Sequence, residues 1–160
     1  MAGSTSKKVV ISRFDREPVS GFVDPTNYLL TDGVEVLTPL GARSVIPYPD
    51  IKTVCFVRDF EEGENLPERR LFNSRPKMEG LWVRMSFRDG EVMDGLLANN
   101  LLAIDVYGFT VAPADPSSRQ QKVFVPRTAL RALSVVGVVG SPLRRQKPKP
   151  EVPGQGKLFE

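Results

Sequence analysis

The sequence predicts an all-β protein: two tandem, related five-stranded small barrels that pack together and end in a disordered C-terminal tail. Three observations lead there. Apolar residues come in strand-length runs separated by Gly, Pro, Asn and Asp. A set of landmarks recurs in the same order in both halves of the 160-residue chain. After Gly140 the composition turns basic and Pro-rich.

The landmarks define the units. A flexible head (1–8) precedes barrel 1 (9–57); a connector (58–80) leads to barrel 2 (81–139), and the tail occupies 140–160. Val10, Phe14 and Gly21 align with Val83, Phe87 and Gly95, and Gly33-Val34 with Gly108-Phe109. Pro47, Ile51 and Val54 then match Pro126, Leu130 and Leu133. Chance likeness between two Val-rich β segments does not preserve the order of so many landmarks, so a duplication is expected. The extra "ADPSSRQQ" of the second copy falls between strands, where insertions are tolerated.

Each element follows from its residues. "KVVISRF" and "LWVRMSF" are the first strands. "DRE" and "RDGE" close a hairpin, Asp89-Gly90 being a strong turn pair. Second strands end near Asp24-Pro25 and Asn99-Asn100; third strands are "VEVLTP" and "FTVAP", and fourth strands are "SVIP" and "KVFVP". Pro47 and Pro126 fall at strand ends, where a missing N–H does least harm. "YPDI" and "RTAL" read as single helical turns before the fifth strands "KTVCFV" and "RALSVVGVV". Four Glu between 61 and 68, followed by Arg69-Arg70, mark the connector as solvated, with Leu71 and Phe72 able to pin it to a barrel.

The phrase "MSFRDGEVMDGLL…VYGFTV…KVFVPRTALRAL" resembles the Sm-like small barrel, well over 81–136 and more loosely over 9–57. That resemblance implies a bent five-stranded barrel and, as one alternative, binding of RNA or single-stranded DNA. Pro126-Arg127 stands where such a family carries a Gly-containing RNA-binding loop, which argues against inheriting that activity.

Composition narrows the chemistry. The chain has no His and a single Cys, Cys55, which removes Ser/His/Asp and Cys/His catalysis, a Cys/His zinc set and an internal disulfide. Cys55 lies in an apolar run and is expected to be a packing residue. No segment reads as a signal peptide or as the ~20 apolar residues that span a bilayer, so a cytoplasmic address without membrane partners is expected. The tail from 141 holds five basic and two acidic residues, and the head adds Lys7 and Lys8. The part between them therefore carries 15 basic and 17 acidic residues, too few cations for an electrostatic footprint on phosphate. Asp89, Glu91 and Asp94 read as surface hairpin acids rather than an acid/base pair. Trp82 reads as a packing residue, and no Gly-rich loop precedes a helix.

Arg127 and Arg131 have the R-x-x-x-R spacing of PilZ domains, barrels that bind cyclic di-GMP. The companion Asp/Asn-x-Ser-x-x-Gly that should follow them is missing. Contact with a ligand or nucleic acid at Arg127 and Arg131 is a secondary expectation; the primary one is a pair of solvent-facing residues beside Leu130. In the tail, Gln155-Gly156-Lys157-Leu158-Phe159 resembles the Q-x-x-L-F form of the bacterial sliding-clamp-binding motif. The resemblance implies that Gln155 hydrogen-bonds at one subsite while Leu158 and Phe159 fill an apolar pocket. The expectation is thus a non-enzymatic adaptor without cofactor or metal, docking a protein partner such as the sliding clamp through its tail.

Overall fold

In a computed structural model, residues 6–58, 60, 71–72, 76, 78–113 and 122–140 are described. The first half forms β1 (Lys7–Arg13), β2 (Val19–Val23), β3 (Val34–Leu37), β4 (Arg43–Ile46) and β5 (Ile51–Phe56). The second half forms β6 (Gly80–Phe87), β7 (Val92–Leu97), β8 (Gly108–Pro113), β9 (Lys122–Pro126) and β10 (Leu130–Val139). Single 3-10 turns at Tyr48–Asp50 and Arg127–Ala129 follow Pro47 and Pro126, whose extended backbone (φ −61° and −64°) ends the fourth strands.

The chain is all-β, but the strands do not form two separate closed barrels. They make one antiparallel sheet of ten strands in the order β10-β6-β7-β8-β9-β5-β1-β2-β3-β4, with β10 and β4 at its ends among the described residues. Within that sheet each half repeats one order: fifth, first, second, third, fourth strand. The halves join where β5 pairs with β9, with Val54 opposite Phe124, Cys55 opposite Val123 and Phe56 opposite Lys122. Backbone hydrogen bonds carry no label of their own, so the fifth strand of one unit accepts the fourth strand of the other.

Register shows how close the two copies are and corrects the first-strand alignment. Val9 pairs with Gly21 as Val83 pairs with Gly95. Ile11 pairs with Val54 as Met85 pairs with Leu133. Val83 therefore corresponds to Val9 rather than Val10, and Phe87 to Arg13 rather than Phe14. A one-residue slip exchanges the two faces of a strand. The later landmarks hold at backbone level. A Cβ on Gly33 would lie 2.1 Å from the Ile46 carbonyl oxygen, and one on Gly108 would lie 2.2 Å from that of Val125, its counterpart. Both third strands thus require glycine where they start against the fourth. Gly21 and Gly95 are crowded in the same way by Val36 and Val111.

Two apolar clusters form the core, and each borrows from the other half. The first gathers Val9, Ile11, Val34, Val36, Ile51, Val54 and Phe56, and it includes Phe124 of β9. The second gathers Val83, Met85, Phe87, Met93, Val111, Val123 and Val125, and it includes Val10, Cys55 and Val57. Cys55 is buried, as its apolar surroundings in the sequence suggest. β1 is covered on both faces, which is why Val9, Val10 and Ile11 are all buried in succession. Units of about 50 residues bury little apolar surface and are marginal alone, so sharing residues across the joint stabilises both.

Candidate functional site

The polar residues with most to offer chemically converge where the two halves meet at their turn ends. Phe14 follows β1, Asp50 closes a 3-10 turn, Arg88 opens the β6–β7 hairpin, and Thr128 lies in the matching 3-10 turn. Arg88 lies across the Phe14 ring, 3.9 Å from its centroid, and donates to the carbonyls of Pro49 (2.6 Å) and Thr128 (3.1 Å). Thr128 Oγ1 donates to the Tyr48 carbonyl at 3.1 Å. Lys52 of β5 reaches across to both Asp89, at 2.7 Å, and Glu91. Burial raises the Asp89 pKa, but the Lys52 bond and the Glu91 N–H together leave it below the ordinary value.

Phe14 and Arg88 also line a cleft of about 260 Å³, together with Arg13, Asp15, Arg16 and Asp50. Three guanidinium groups and two carboxylates face it around one aromatic ring. Arg13 spends Nε and Nη2 on the Glu17 carbonyl. The cleft offers charge of both signs and no side chain set up as a nucleophile beside a base. Among the described residues no group of three or more His, Cys, Asp or Glu side chains could hold a metal ion. No helix among them is long and apolar enough to cross a membrane.

Arg127 and Arg131 sit in different local settings. Arg127 stacks on Phe109 at 4.6 Å, and its Nε donates to the Val106 carbonyl at 2.9 Å, with Nη2 at 3.4 Å from the Asp105 carbonyl. Its counterpart in the first half is Tyr48, whose hydroxyl donates to the Leu30 carbonyl at 2.5 Å while its ring stacks on Tyr107. Leu30 and Asp105 are themselves equivalent positions. Both side chains reach back from the 3-10 turn to tie down the entry to the third strand. Arg131 is exposed at the bulge where β10 slips register against β6, between Leu130 and Ala132.

Two residues prove central, Asp94 and an arginine that the sequence did not single out, Arg84. Asp94, read there as a surface hairpin acid, is fully buried on β7 opposite Arg84 of β6. It accepts from Arg84 Nε (2.7 Å), Arg84 Nη2 (3.0 Å), Trp82 Nε1 (3.0 Å) and the Phe72 N–H (3.1 Å). Burial pushes its pKa up, but these donors outweigh that and hold it below the usual carboxylate range. Phe72 also meets Trp82 edge-on at 5.6 Å, so Phe72 is pinned to the second half at this carboxylate. The hairpin closed at Asp89-Gly90 sets Arg84 across from Asp94, but the sequence carries no sign that Phe72 and Trp82 cover the face they share.

Gln155, Leu158 and Phe159 lie outside the described residues. Comparison with curated proteins and with solved structures yields no match. Residues 5–137 match a family of unknown function, DUF6982, and the chain belongs to that family.

Proposed function

We propose that the chain is a non-enzymatic adaptor: a β-sheet body that binds protein surfaces, with a docking peptide at Gln155, Leu158 and Phe159. The observation that carries this reading is the β7–β8 connection. There Leu101 is 75% exposed and Leu102 97% exposed, and Val106 follows at 72%. The backbone beneath them is held, not loose. Asn100 caps the 3-10 turn Leu101–Ala103 by accepting the Leu102 N–H at 3.1 Å, and the Ala103 N–H returns to the Asn100 carbonyl at 2.9 Å. An ordered turn that presents two leucines to water is the kind of apolar patch that partner proteins cover. The tail supports the same reading through its resemblance to the sliding-clamp-binding motif.

The test is binding of purified bacterial sliding clamp to the full chain and to the Leu158→Ala/Phe159→Ala variant. Affinity in roughly the micromolar range, as two apolar anchors supply, is expected for the full chain alone. Equal binding by both would remove the tail from the proposal; a Leu101→Ser/Leu102→Ser variant would then show whether the turn is the docking surface.

A second reading, a nucleic-acid-binding body of Sm-like type, would use the junction cleft, where Arg16 joins Arg13 and Arg88, although the last two already donate to backbone carbonyls and Asp15 and Asp50 offset the charge. It requires binding to a single-stranded oligonucleotide that falls steeply with salt and persists after deletion of 141–160.

A further inference from the structure

The strand joint inside the chain is half of a matched pair. At that joint the fifth strand of the first unit, β5, meets the fourth strand of the second, β9. The two strands left at the ends of the sheet are the other fourth strand, β4, and the other fifth strand, β10. We infer that β4 of one copy and β10 of a second copy form the same joint, so that the chain assembles head-to-tail with itself.

Three observations besides topology carry this. The first is apolar exposure at equivalent positions. In the internal joint Val54, Phe56, Val123 and Phe124 are all at most 1% exposed. At the open edges the corresponding positions place Val45 at 40% and Val135 at 54% exposed, with Val136 beside it at 44%. The second is the direction in which those side chains point. Phe124 lies opposite Thr110 on the face of β8 and β9 away from their own cluster, and it fills the core of the first unit instead. Val45 lies opposite Glu35 on the corresponding face of β3 and β4, turned away from Val34, Val36 and Ile46 of its own core. The third is the receiving side. Val135 pairs with the buried Val83, and Leu133 with the buried Met85, so the core face of the second unit runs to the sheet edge, where Val135 stays exposed and β10 has no further strand beside it among the described residues.

Carrying the internal register over places Val45 opposite Leu133 of the second copy, Ser44 opposite Ser134 and Arg43 opposite Val135. Val45 then enters the second unit's core as Phe124 enters the first. Arg43 takes the place that Lys122 holds over the Phe56 ring, 4.6 Å from its centroid. The joint is heterologous, so repeating it either closes a ring or extends a filament. It also removes two open edges that natural sheets otherwise have to protect. None of this depends on the adaptor reading or on the tail.

The test uses the full chain. Light scattering and sedimentation over a concentration series are expected to give a mass that rises above the monomer's. Val45→Lys places a charge where the joint buries an apolar side chain, and Val135→Lys places one opposite Arg43. Each variant is expected to stay monomeric alone, and an equimolar mixture is expected to form a dimer of unlike variants, because each retains the edge that the other lacks. A full chain that stays monomeric at every concentration overturns the inference. So does either variant dimerising with itself, since that means like edges pair. Far-UV circular dichroism checks the fold of both variants. If one does not fold, a disulfide formed between Ser44→Cys and Ser134→Cys chains, each in a Cys55→Ser background, reads the same pairing, and its absence overturns it.

Discussion

β9 and β4 are the same strand of one repeat placed in two settings. β9 has a neighbour on each side and buries Val123, Phe124 and Val125 almost completely. β4 has a neighbour on one side among the described residues, and Arg43, Ser44 and Val45 are exposed. The fifth strands differ likewise: Val54, Cys55 and Phe56 of β5 are buried, whereas Ser134 and Val135 of β10 are exposed. Backbone requirements are common to both copies, down to the glycine facing the fourth strand's carbonyl. Side-chain bulk follows the neighbour instead. Phe stands at positions 56 and 124, which the joint encloses, and Val at 45 and 135, which the edges leave open. A repeat thus conserves its frame while each copy is filled according to what lies beside it.

The largest effect should come from removing that filling where it is enclosed. Phe124→Ala empties a ring-sized space in the first core, and the expected loss of folding stability is about 3–5 kcal/mol. Val45→Ala at the equivalent edge position should change monomer stability by no more than about 0.5 kcal/mol, measured by urea unfolding at a concentration where the chain is monomeric. Similar costs at both sites would break the comparison, since they would mean that the edge strand is packed as tightly as the joint.

An intermediate effect is expected at Asp94, where the two copies differ most in chemistry. The first-half counterparts of Arg84 and Asp94 are Val10 and Ser20, and Val10 is buried because the second unit covers it. In the second half Phe72 lies there, its N–H held by the Asp94 carboxylate. Asp94→Asn keeps the shape but loses the ion pair and part of the hydrogen bonding, for an expected cost of about 2–3 kcal/mol near neutral pH. The sign of the pH effect follows from the lowered folded-state pKa. The ionised form is favoured in the fold, so its contribution is complete above the unfolded value of about 3.9 and is lost as pH falls through the folded value. Acid unfolding of the wild type should therefore be steeper than that of Asp94→Asn, and parallel acid curves would mean that Arg84 and Trp82 do not hold the carboxylate.

The frame was legible in the sequence because Gly and Pro carry backbone meaning wherever they stand. Gly33 and Gly108 mark close approach to a carbonyl oxygen, and Pro47 and Pro126 mark strand ends followed by a turn. The first-strand register was not legible, because Val9, Val10 and Ile11 form an apolar run with no period of two to choose between faces. Nor was the choice between closed units and a continuous sheet, since a strand edge offers the same hydrogen bonds to either partner. Asp94 looked like a surface acid because nothing in the sequence shows that Phe72, well before the hairpin turn, covers the face it shares with Arg84. The bond of Arg127 to the Val106 carbonyl was hidden for the same reason: its ring partner, Phe109, lies on another strand.

The smallest expected effect tests whether Tyr48 and Arg127 are one device made from two residues. Each leaves the first position of a 3-10 turn, lies against an aromatic ring and bonds a carbonyl just before the third strand. A phosphate-gripping arginine would depend on its charge, whereas a tie of this kind depends on reach and a flat stacking surface. Arg127→Ala removes both and should cost about 1 kcal/mol, as expected for an exposed cation–π contact with one hydrogen bond. Arg127→Tyr restores the ring and hydroxyl that the first copy uses, and it should recover most of that loss in thermal unfolding. Arg127→Lys keeps the charge without the planar surface and should recover little. If Lys rescues and Tyr does not, charge rather than reach and stacking holds this turn, and the likeness to Tyr48 fails; the opposite result makes the two turns equivalent in mechanism as well as in place.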